Sequence, residues 1–167
     1  GDTRRAQRDR GLRVIVVDPR RTETAELADL HLAIQPGEDA TLLAGMIRLI
    51  LAEELHDRAF CDAHVAGLDE LRDAVAAFTE DYVARRTGLA AELIAEAARL
   101  FARGPRGVAT AGTGPNMSLH PTLTEHLVLC LDTLCGRWNR EGERVNVPSL
   151  LTPVSYTHLT LPTSDLV

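Results

Sequence analysis

LRVIVVDP, residues 12–19, decides the fold class of this chain. The run is almost continuously apolar and rich in β-branched residues until Asp18-Pro19 stops it, a pattern typical of a short strand. A continuous rather than alternating apolar run predicts a strand covered on both faces, as in the parallel sheets of α/β proteins. We therefore expect a buried parallel strand followed by a loop at residues 18–24, where ligands of open α/β sheets bind.

Further strand and helix patterns follow along the chain. Short apolar runs predict strands at residues 30–34 and 107–110, and apolar residues at helical spacing predict a long amphipathic helix at residues 38–54. Shorter helical patterns cover residues 57–65, 68–78, 80–86, 90–102 and 121–137. This order predicts an α/β fold, a Rossmann-like parallel sheet segment with a helical insertion.

Composition and charge limit the functional classes. With 167 residues and 45% hydrophobic content, the chain has the size and apolar content of one globular domain. Its 18 basic and 24 acidic residues give a net charge of -6, which argues against nucleic acid as a partner. Seven arginines nevertheless crowd residues 4–21; they either serve a phosphate or solvate a helix and its loop. No apolar run is long enough to predict a membrane span.

The cysteines do not predict a metal site. Cys61, Cys130 and Cys135 are odd in number and include no C-x-x-C pair, so neither a zinc site nor an iron–sulfur cluster is expected within this chain. His56 and His64 flank Cys61, but at a spacing that no standard metal site uses. Packing thiols are the better interpretation of all three cysteines.

A nucleophilic triad is also disfavoured. Ser118, His120 and Asp132 can be written as a triad, but the sequence lacks the strand-turn-helix elbow that exposes a nucleophilic serine. We therefore assign no catalytic residue and no metal ligand to this chain.

Three polar segments have the chemistry of a nucleotide site. DPRRTETA, residues 18–25, joins a carboxylate that can accept two hydrogen bonds from guanine or ribose to arginines that can meet phosphate. QPGED, residues 35–39, sets backbone N–H groups and an Asp at the start of the long helix. GTGPNMS, residues 112–118, has two glycines that allow close approach of a ligand. A proline turn, a helix cap and an ordinary loop are the plainer alternatives and stay open.

The third segment is not a nicotinamide fingerprint. In G-x-G-x-x-G the sixth position is glycine, and here Met117 occupies it. A nicotinamide-binding dehydrogenase domain is therefore disfavoured.

The chain resembles the molybdopterin oxidoreductase family, which includes dimethyl sulfoxide reductases, formate dehydrogenases and nitrate reductases. The resemblance spans about residues 11–136 in unbroken order. It is carried by VIVVDPRRTETAELADLHLAIQPGEDATLLAGMIRLIL, by LHDRAFCDAHVAGLDELRDAVAAFTEDYVARRTGLAAELIAEAARLFA, by GVATAGTGPNMS and by LVLCLDTLCG. Its length makes it more specific than any single motif, although a fold-level likeness does not fix the reaction.

The resemblance implies a cofactor and its contacts. In that family the loops matching residues 18–22 and 37–39 bind the guanosine end of one pterin dinucleotide, and the loop matching residues 113–117 lies closer to the pterin and metal. Cofactor contact is carried over to Asp18, Arg20, Thr22, Gly37, Asp39, Thr113, Gly114, Asn116 and Met117. The implied cofactor is molybdopterin guanine dinucleotide with molybdenum, or tungsten, and a [4Fe-4S] cluster is expected in a part of the parent enzyme outside this chain.

The expected partners also follow from the resemblance. They are the remainder of the same polypeptide, electron-transfer subunits and a small-molecule substrate. The compartment of the parent enzyme stays open between cytoplasm and periplasm. The chain has no start Met and opens on a charged segment, so we expect an internal fragment that is inactive alone. The alternative is a stand-alone nucleotide-binding or protein-interaction module without catalysis.

The last residues are of a different kind. VSYTHLTLPT, residues 154–163, is the translation of a nucleotide string that resembles a sequencing-library transposon adaptor. We therefore expect residues 1–153 to form a partial cofactor-binding α/β domain and residues 154–167 to be a non-biological tail. A β-prone, Thr-rich terminal segment is the alternative.

Overall fold

The computed structural model describes residues 2–143, so the anticipated adaptor-like tail lies outside the described residues. Over that range the fold is α/β but mostly helical, with one two-stranded parallel sheet and nine helices. The elements are α1 (Asp2–Arg10), β1 (Ile15–Val17), α2 (Glu23–Glu26), β2 (Leu30–Leu32), α3 (Asp39–Ala52), α4 (Arg58–His64), α5 (Leu68–Val75), α6 (Glu80–Thr87), α7 (Ala91–Arg103), α8 (Thr113–Asn116) and α9 (Pro121–Leu134). Within residues 2–143, none of these helices has the length and apolar character needed to cross a membrane.

The two strands pair in parallel, as predicted. Ile15 lies opposite Leu30 and Val17 opposite Leu32. The expectation that the first strand is buried on both faces is wrong for this chain, because Val17 is 42% exposed whereas Leu32 is fully buried. Helices α2 and α7 pack against the sheet, and the Val17 end of β1 stays open to solvent.

The strand predicted at residues 107–110 is not formed in the described part of the chain. Val108 is 74% exposed, and the Ala109 N–H donates to the carboxylate of Asp132 (2.8 Å) rather than to a neighbouring strand. A β-branched run becomes a strand only where a partner strand accepts its backbone hydrogen bonds, and the two-stranded sheet does not extend to this segment.

The six predicted helices are all present, with ends that differ from the predicted ones by no more than three residues. Helix α3 is the centre of the core and packs against α5, α6, α7 and α9. Leu42, Ile47, Leu49 and Ile50 on α3 are almost completely buried. A helix that is apolar on nearly every face is stable only when neighbouring helices surround it, as they do here.

Helices α3 and α9 run in the same direction. The Asp57 N–H, just beyond α3, donates to the Leu134 carbonyl oxygen at the end of α9 (2.7 Å), so the C-terminal ends of the two helices meet. Because the helices also pack side by side, their N-terminal ends point to the same end of the molecule. The turn before α3 and helix α8, which precedes α9, therefore lie towards that end.

Candidate functional site at the carboxyl edge of the sheet

The first polar loop, residues 18–22, begins where β1 ends and is held by its own polar groups. The Asp18 N–H donates to the Leu32 carbonyl oxygen (3.2 Å), and the Asp18 carboxylate accepts the N–H of Arg20 (2.8 Å). The Thr22 hydroxyl caps α2 by accepting the N–H of Ala25 (3.3 Å). The Arg20 side chain is exposed. The loop therefore presents a carboxylate and a guanidinium close together in sequence on a backbone fixed by the sheet.

A histidine ties this loop to the second strand. His31 lies on β2, and its Nε2 is 2.9 Å from the carbonyl oxygen of Asp18. A carbonyl oxygen only accepts hydrogen bonds, so Nε2 carries the proton in this contact. The bond fixes the residue at which β1 becomes the loop.

The second polar loop, residues 35–39, is a tight turn between β2 and α3. The Glu38 N–H donates to the Gln35 carbonyl oxygen (3.2 Å), and Gly37 has a φ of +91°. A Cβ at Gly37 would meet nothing within 4 Å. Glycine is therefore needed here for its left-handed backbone and not for space.

The two carboxylates that end this turn differ electrostatically. Burial raises the pKa of Asp39, the first residue of α3, against the lowering effect of its own backbone N–H. Burial also opposes ionisation of Glu38, but hydrogen bonds from Arg86 and Thr41 outweigh it and lower the pKa of Glu38. Glu38 is thus engaged within the protein, whereas Asp39 is a partly dehydrated acceptor at a helix start.

Parallel pairing brings these two loops to one place. Both follow the carboxyl ends of adjacent parallel strands, so they lie at the same edge of the sheet. We call residues 18–22 and 35–39 the carboxyl edge. It carries five of the residues that sequence analysis singled out: Asp18, Arg20, Thr22, Gly37 and Asp39.

No hydrogen bond among the described residues joins the third loop to the carboxyl edge. Thr113, Gly114 and Asn116 form the short helix α8, which packs against α9, and Met117 ends it with 81% of its surface exposed. The shared direction of α3 and α9 places this loop towards the same end of the molecule. Thr113, Gly114, Asn116 and Met117 are all accessible there.

A cleft at the other end of α3 has a structural explanation. It encloses about 470 Å³ between the ends of α7 and α9. Its most buried guanidinium, that of Arg137, donates to the carbonyl oxygens of Gly104 (2.6 Å) and Phe101 (2.5 Å) and so satisfies the C-terminal end of α7. Arg140 pairs with Asp57. Helix C-termini attract cations, so Arg137 completes the end of α7, and Arg140 is already paired with a carboxylate; this pairing argues against a phosphate site.

The described range lacks a metal-binding cluster and the Ser118/His120/Asp132 triad. Residues 2–143 contain no group of three or more His, Cys, Asp or Glu side chains arranged to hold a metal ion. Burial raises the pKa of Cys61 and of Cys130, and that of Cys135 to about 11, so these thiols stay protonated and pack in the helical layer. His120 and Asp132 are separated by twelve residues along α9, about 18 Å at the helical rise, which excludes the triad.

The sequence did not predict the contacts that hold the second loop in place. Arg86, on α6, pairs with Glu38 across 48 residues of sequence. The Thr87 carbonyl oxygen accepts the N–H of Gln35 (2.9 Å). No local pattern signals a contact of that separation; the acidic residue at the helix start could only suggest a cap.

Comparison with known proteins identifies the relatives of this segment. No family model matches the chain. It is 31% identical over 139 residues to the F420-dependent formate dehydrogenase subunit alpha of Methanocaldococcus jannaschii, covering 83% of this chain and 21% of the relative. It is 33% identical over 131 residues to nitrate reductase of Synechocystis sp., covering 78% and 18%.

A solved structure is similar to this chain in both fold and sequence. Acetylene hydratase from Pelobacter acetylenicus aligns with a TM-score of 0.79 and 33% identity over 86% of this chain and 20% of its own. The chain thus spans about a fifth of the length of the relatives that it matches.

Proposed function

Because the chain belongs to the molybdopterin oxidoreductase family, we propose that it binds part of a molybdopterin guanine dinucleotide within a larger molybdenum- or tungsten-dependent enzyme. The observation that carries the proposal is the meeting of two polar loops at the carboxyl edge of a parallel strand pair. One relative is named a hydratase, so family membership supports the cofactor class more strongly than it supports one reaction.

The chemistry of the carboxyl edge fits the guanosine end of such a cofactor. Asp39 is a partly buried carboxylate with a raised pKa, and Asp18 is a second carboxylate on the neighbouring loop. A guanine presents two adjacent N–H donors, and a carboxylate can accept both. The space beside Gly37 is open, which lets a ligand approach the backbone. The described residues do not fit the metal itself, since they include no cluster of ligands.

In this proposal the chain binds and orients the cofactor. Asp18 and Asp39 accept hydrogen bonds from guanine or ribose, and the exposed guanidinium of Arg20 meets a phosphate oxygen. Thr22 offers its hydroxyl proton, because its oxygen already accepts the Ala25 N–H. Thr113, Gly114, Asn116 and Met117 line the approach to the pterin. When bound, the pterin and its metal supply the two-electron chemistry, and the protein fixes their position.

The parent enzyme is larger than this chain in the proposal. We assign residues 1–153 to a partial cofactor-binding domain, and β1 and β2 to a larger, Rossmann-like parallel sheet. The exposed face of Val17 and the strand-like residues 107–110, which lack a neighbouring strand in the described range, support a sheet that continues in other parts of the parent. The metal ligand, the iron–sulfur cluster and the electron-transfer partners also belong outside this chain, and residues 154–167 are an adaptor-derived tail.

A titration with guanosine diphosphate tests the binding role. GDP carries the guanosine and phosphate groups of the cofactor, and calorimetry on the full 167-residue chain is expected to show binding that is stronger than the binding of ADP. Asp39→Asn is expected to weaken GDP binding about tenfold, because one charged acceptor is lost. The matched control is Asp69→Asn, an exposed Asp in the first turn of α5, which leaves binding unchanged. Equal affinities for GDP and ADP, or no binding of either, would contradict the proposal.

A further inference from the structure

The carboxyl edge depends on a side chain from a distant helix. We propose that Arg86 on α6 is a positioning residue: it holds the turn at residues 35–39 in its binding shape and compensates the charge of Glu38. This inference rests on the proposed nucleotide-binding role of the edge. Arg86 itself makes no ligand contact in the proposal.

The contacts of Arg86 are specific for a guanidinium. Its Nη2 and Nε both donate to Oε1 of Glu38, at 2.6 Å and 3.1 Å, and its Nη1 lies 3.3 Å from the Tyr82 hydroxyl. The other oxygen of Glu38 accepts the Thr41 hydroxyl proton (2.6 Å). Glu38 is thereby held from two sides, one on α6 and one on α3. Lysine has a single charged nitrogen and lacks this fork of donors.

The same end of α6 also holds the start of the turn. The Thr87 carbonyl oxygen accepts the Gln35 N–H (2.9 Å). Gly88 follows with a φ of +75°, and a Cβ there would lie 3.3 Å from Cγ and Nε2 of Gln35. The last turn of α6 therefore contacts both Gln35 and Glu38, the residues on either side of the Pro36-Gly37 bend.

Stability alone does not explain this arrangement. Arg86 is about half exposed, and exposed ion pairs typically add little to the stability of a protein. Glu38, however, is adjacent to Asp39, and an uncompensated carboxylate there would repel the phosphates of a nucleotide. A cation fixed on Glu38 removes that repulsion without occupying Asp39.

Two variants separate positioning from general stability. Arg86→Ala removes the pair at the N-terminal end of α3, and Arg99→Ala removes a matched pair at the C-terminal end, where the Arg99 Nη2 lies 2.5 Å from Glu53. If the free turn adopts its binding shape only about a fifth to a tenth of the time without Arg86, affinity falls about five- to tenfold. We therefore expect a five- to tenfold loss of GDP affinity for Arg86→Ala and none for Arg99→Ala, with similar small shifts of the thermal midpoint.

A measurement without ligand keeps this inference distinct from the binding role. Hydrogen exchange of the Glu38 amide, which is bonded to Gln35, is expected to speed up severalfold in Arg86→Ala and to stay unchanged in Arg99→Ala. Equal exchange in the two variants overturns the positioning role, whatever GDP does. If the wild-type chain binds GDP and both variants bind it equally, the inference is wrong and the proposed function stands. If the wild-type chain binds no GDP, the proposed function fails, and the ligand-binding consequence of Arg86 fails with it.

Discussion

Two polar side chains, the buried His56 and the partly buried Arg137, line the cleft at the C-terminal end of α3 and differ in their hydrogen bonding. Nη1 and Nη2 of Arg137 donate to the carbonyl oxygens that end α7, whereas its buried Nε has no hydrogen-bond partner among residues 2–143. His56 is only 8% exposed, and its Nδ1 has no hydrogen-bond partner among residues 2–143. A buried nitrogen without a partner favours the neutral ring, because a charged ring would need solvation that the site does not supply.

The first residue-scale prediction concerns acid stability. Burial, together with the nearby Arg72 and Arg58, lowers the pKa of His56 below its ordinary value of 6.5. The unfolded chain then binds a proton more readily than the folded chain, so the stability contributed by neutral His56 is present above about pH 6.5 and is lost as the pH falls towards its folded pKa. Wild type should lose free energy of unfolding between about pH 7 and pH 5 in urea titrations, and His56→Gln should lose less.

The control for that prediction is His64→Gln. His64 is exposed on α4 and packs against Phe60 with 4.9 Å between the ring centroids and the ring planes tilted by 50°. Its replacement should leave the difference in unfolding free energy between the two pH values as in wild type. An undiminished difference in His56→Gln would show that other groups cause the acid sensitivity.

The second residue-scale prediction concerns the hydrogen bonds that Arg137 makes at the C-terminal end of α7. Arg137→Ala leaves the carbonyl oxygens of Gly104 and Phe101 without their charged donor and removes the guanidinium that lies 5.3 Å from the centroid of the Phe101 ring. We expect a loss of about 2–3 kcal/mol in the free energy of unfolding. Arg103→Ala, an exposed change in the last turn of α7, should cost less than about 0.5 kcal/mol. Similar losses for the two variants in denaturant titrations would argue against the capping role.

At the scale of elements, the contact between α3 and α6 requires a residue without a side chain at position 45. Gly45 lies within α3, and a Cβ there would approach Cγ2 of Val83 on α6 to 2.7 Å. Alanine is the better helix former by about 1 kcal/mol, so without this contact Gly45→Ala would stabilise the chain. We expect the opposite sign, a loss of about 1–3 kcal/mol from overpacking, measured by thermal or denaturant unfolding.

A double variant tests the cause of that loss. Val83→Ala in the Gly45→Ala background removes the methyl groups that the new Cβ meets, so part of the stability should return and the two effects should not add. Gly112→Ala, where a Cβ meets nothing within 4 Å, is the matched control and should change stability little. A more stable Gly45→Ala variant would mean that α3 and α6 separate easily.

At the scale of the whole molecule, the chain is expected to lack turnover by itself. It spans about a fifth of its relatives, and residues 2–143 offer no metal-binding cluster. Assays of formate oxidation and nitrate reduction on the purified 167-residue chain, supplied with molybdenum cofactor, should stay at background, with a full-length relative as the positive control. Any cofactor-dependent turnover by this chain would overturn that expectation.

Much of the fold follows from local sequence patterns. The apolar run that ends at Asp18-Pro19 identifies β1, and the periodicity of residues 38–54 identifies α3. Helical and strand periods arise from interactions between near neighbours in the chain, so the sequence itself carries them. Parallel pairing then places the loops after β1 and β2 at one edge, and the residues named there, Asp18 to Thr22 and Gly37 to Asp39, could be chosen before any coordinates.

Only the tertiary structure decided the contacts between residues that lie far apart in the sequence. Residues 107–110 have a strand-like composition, but no strand accepts their hydrogen bonds in the described range, and Asp132 takes the Ala109 N–H instead. From the sequence, Glu38 is expected to cap a helix, but in the structure its carboxylate pairs with Arg86, 48 residues away. The sequence by itself determined the local elements and the polar loops, because short-range energetics specify them. Only the folded chain decided which of those groups meet, because such contacts depend on the path of the whole backbone.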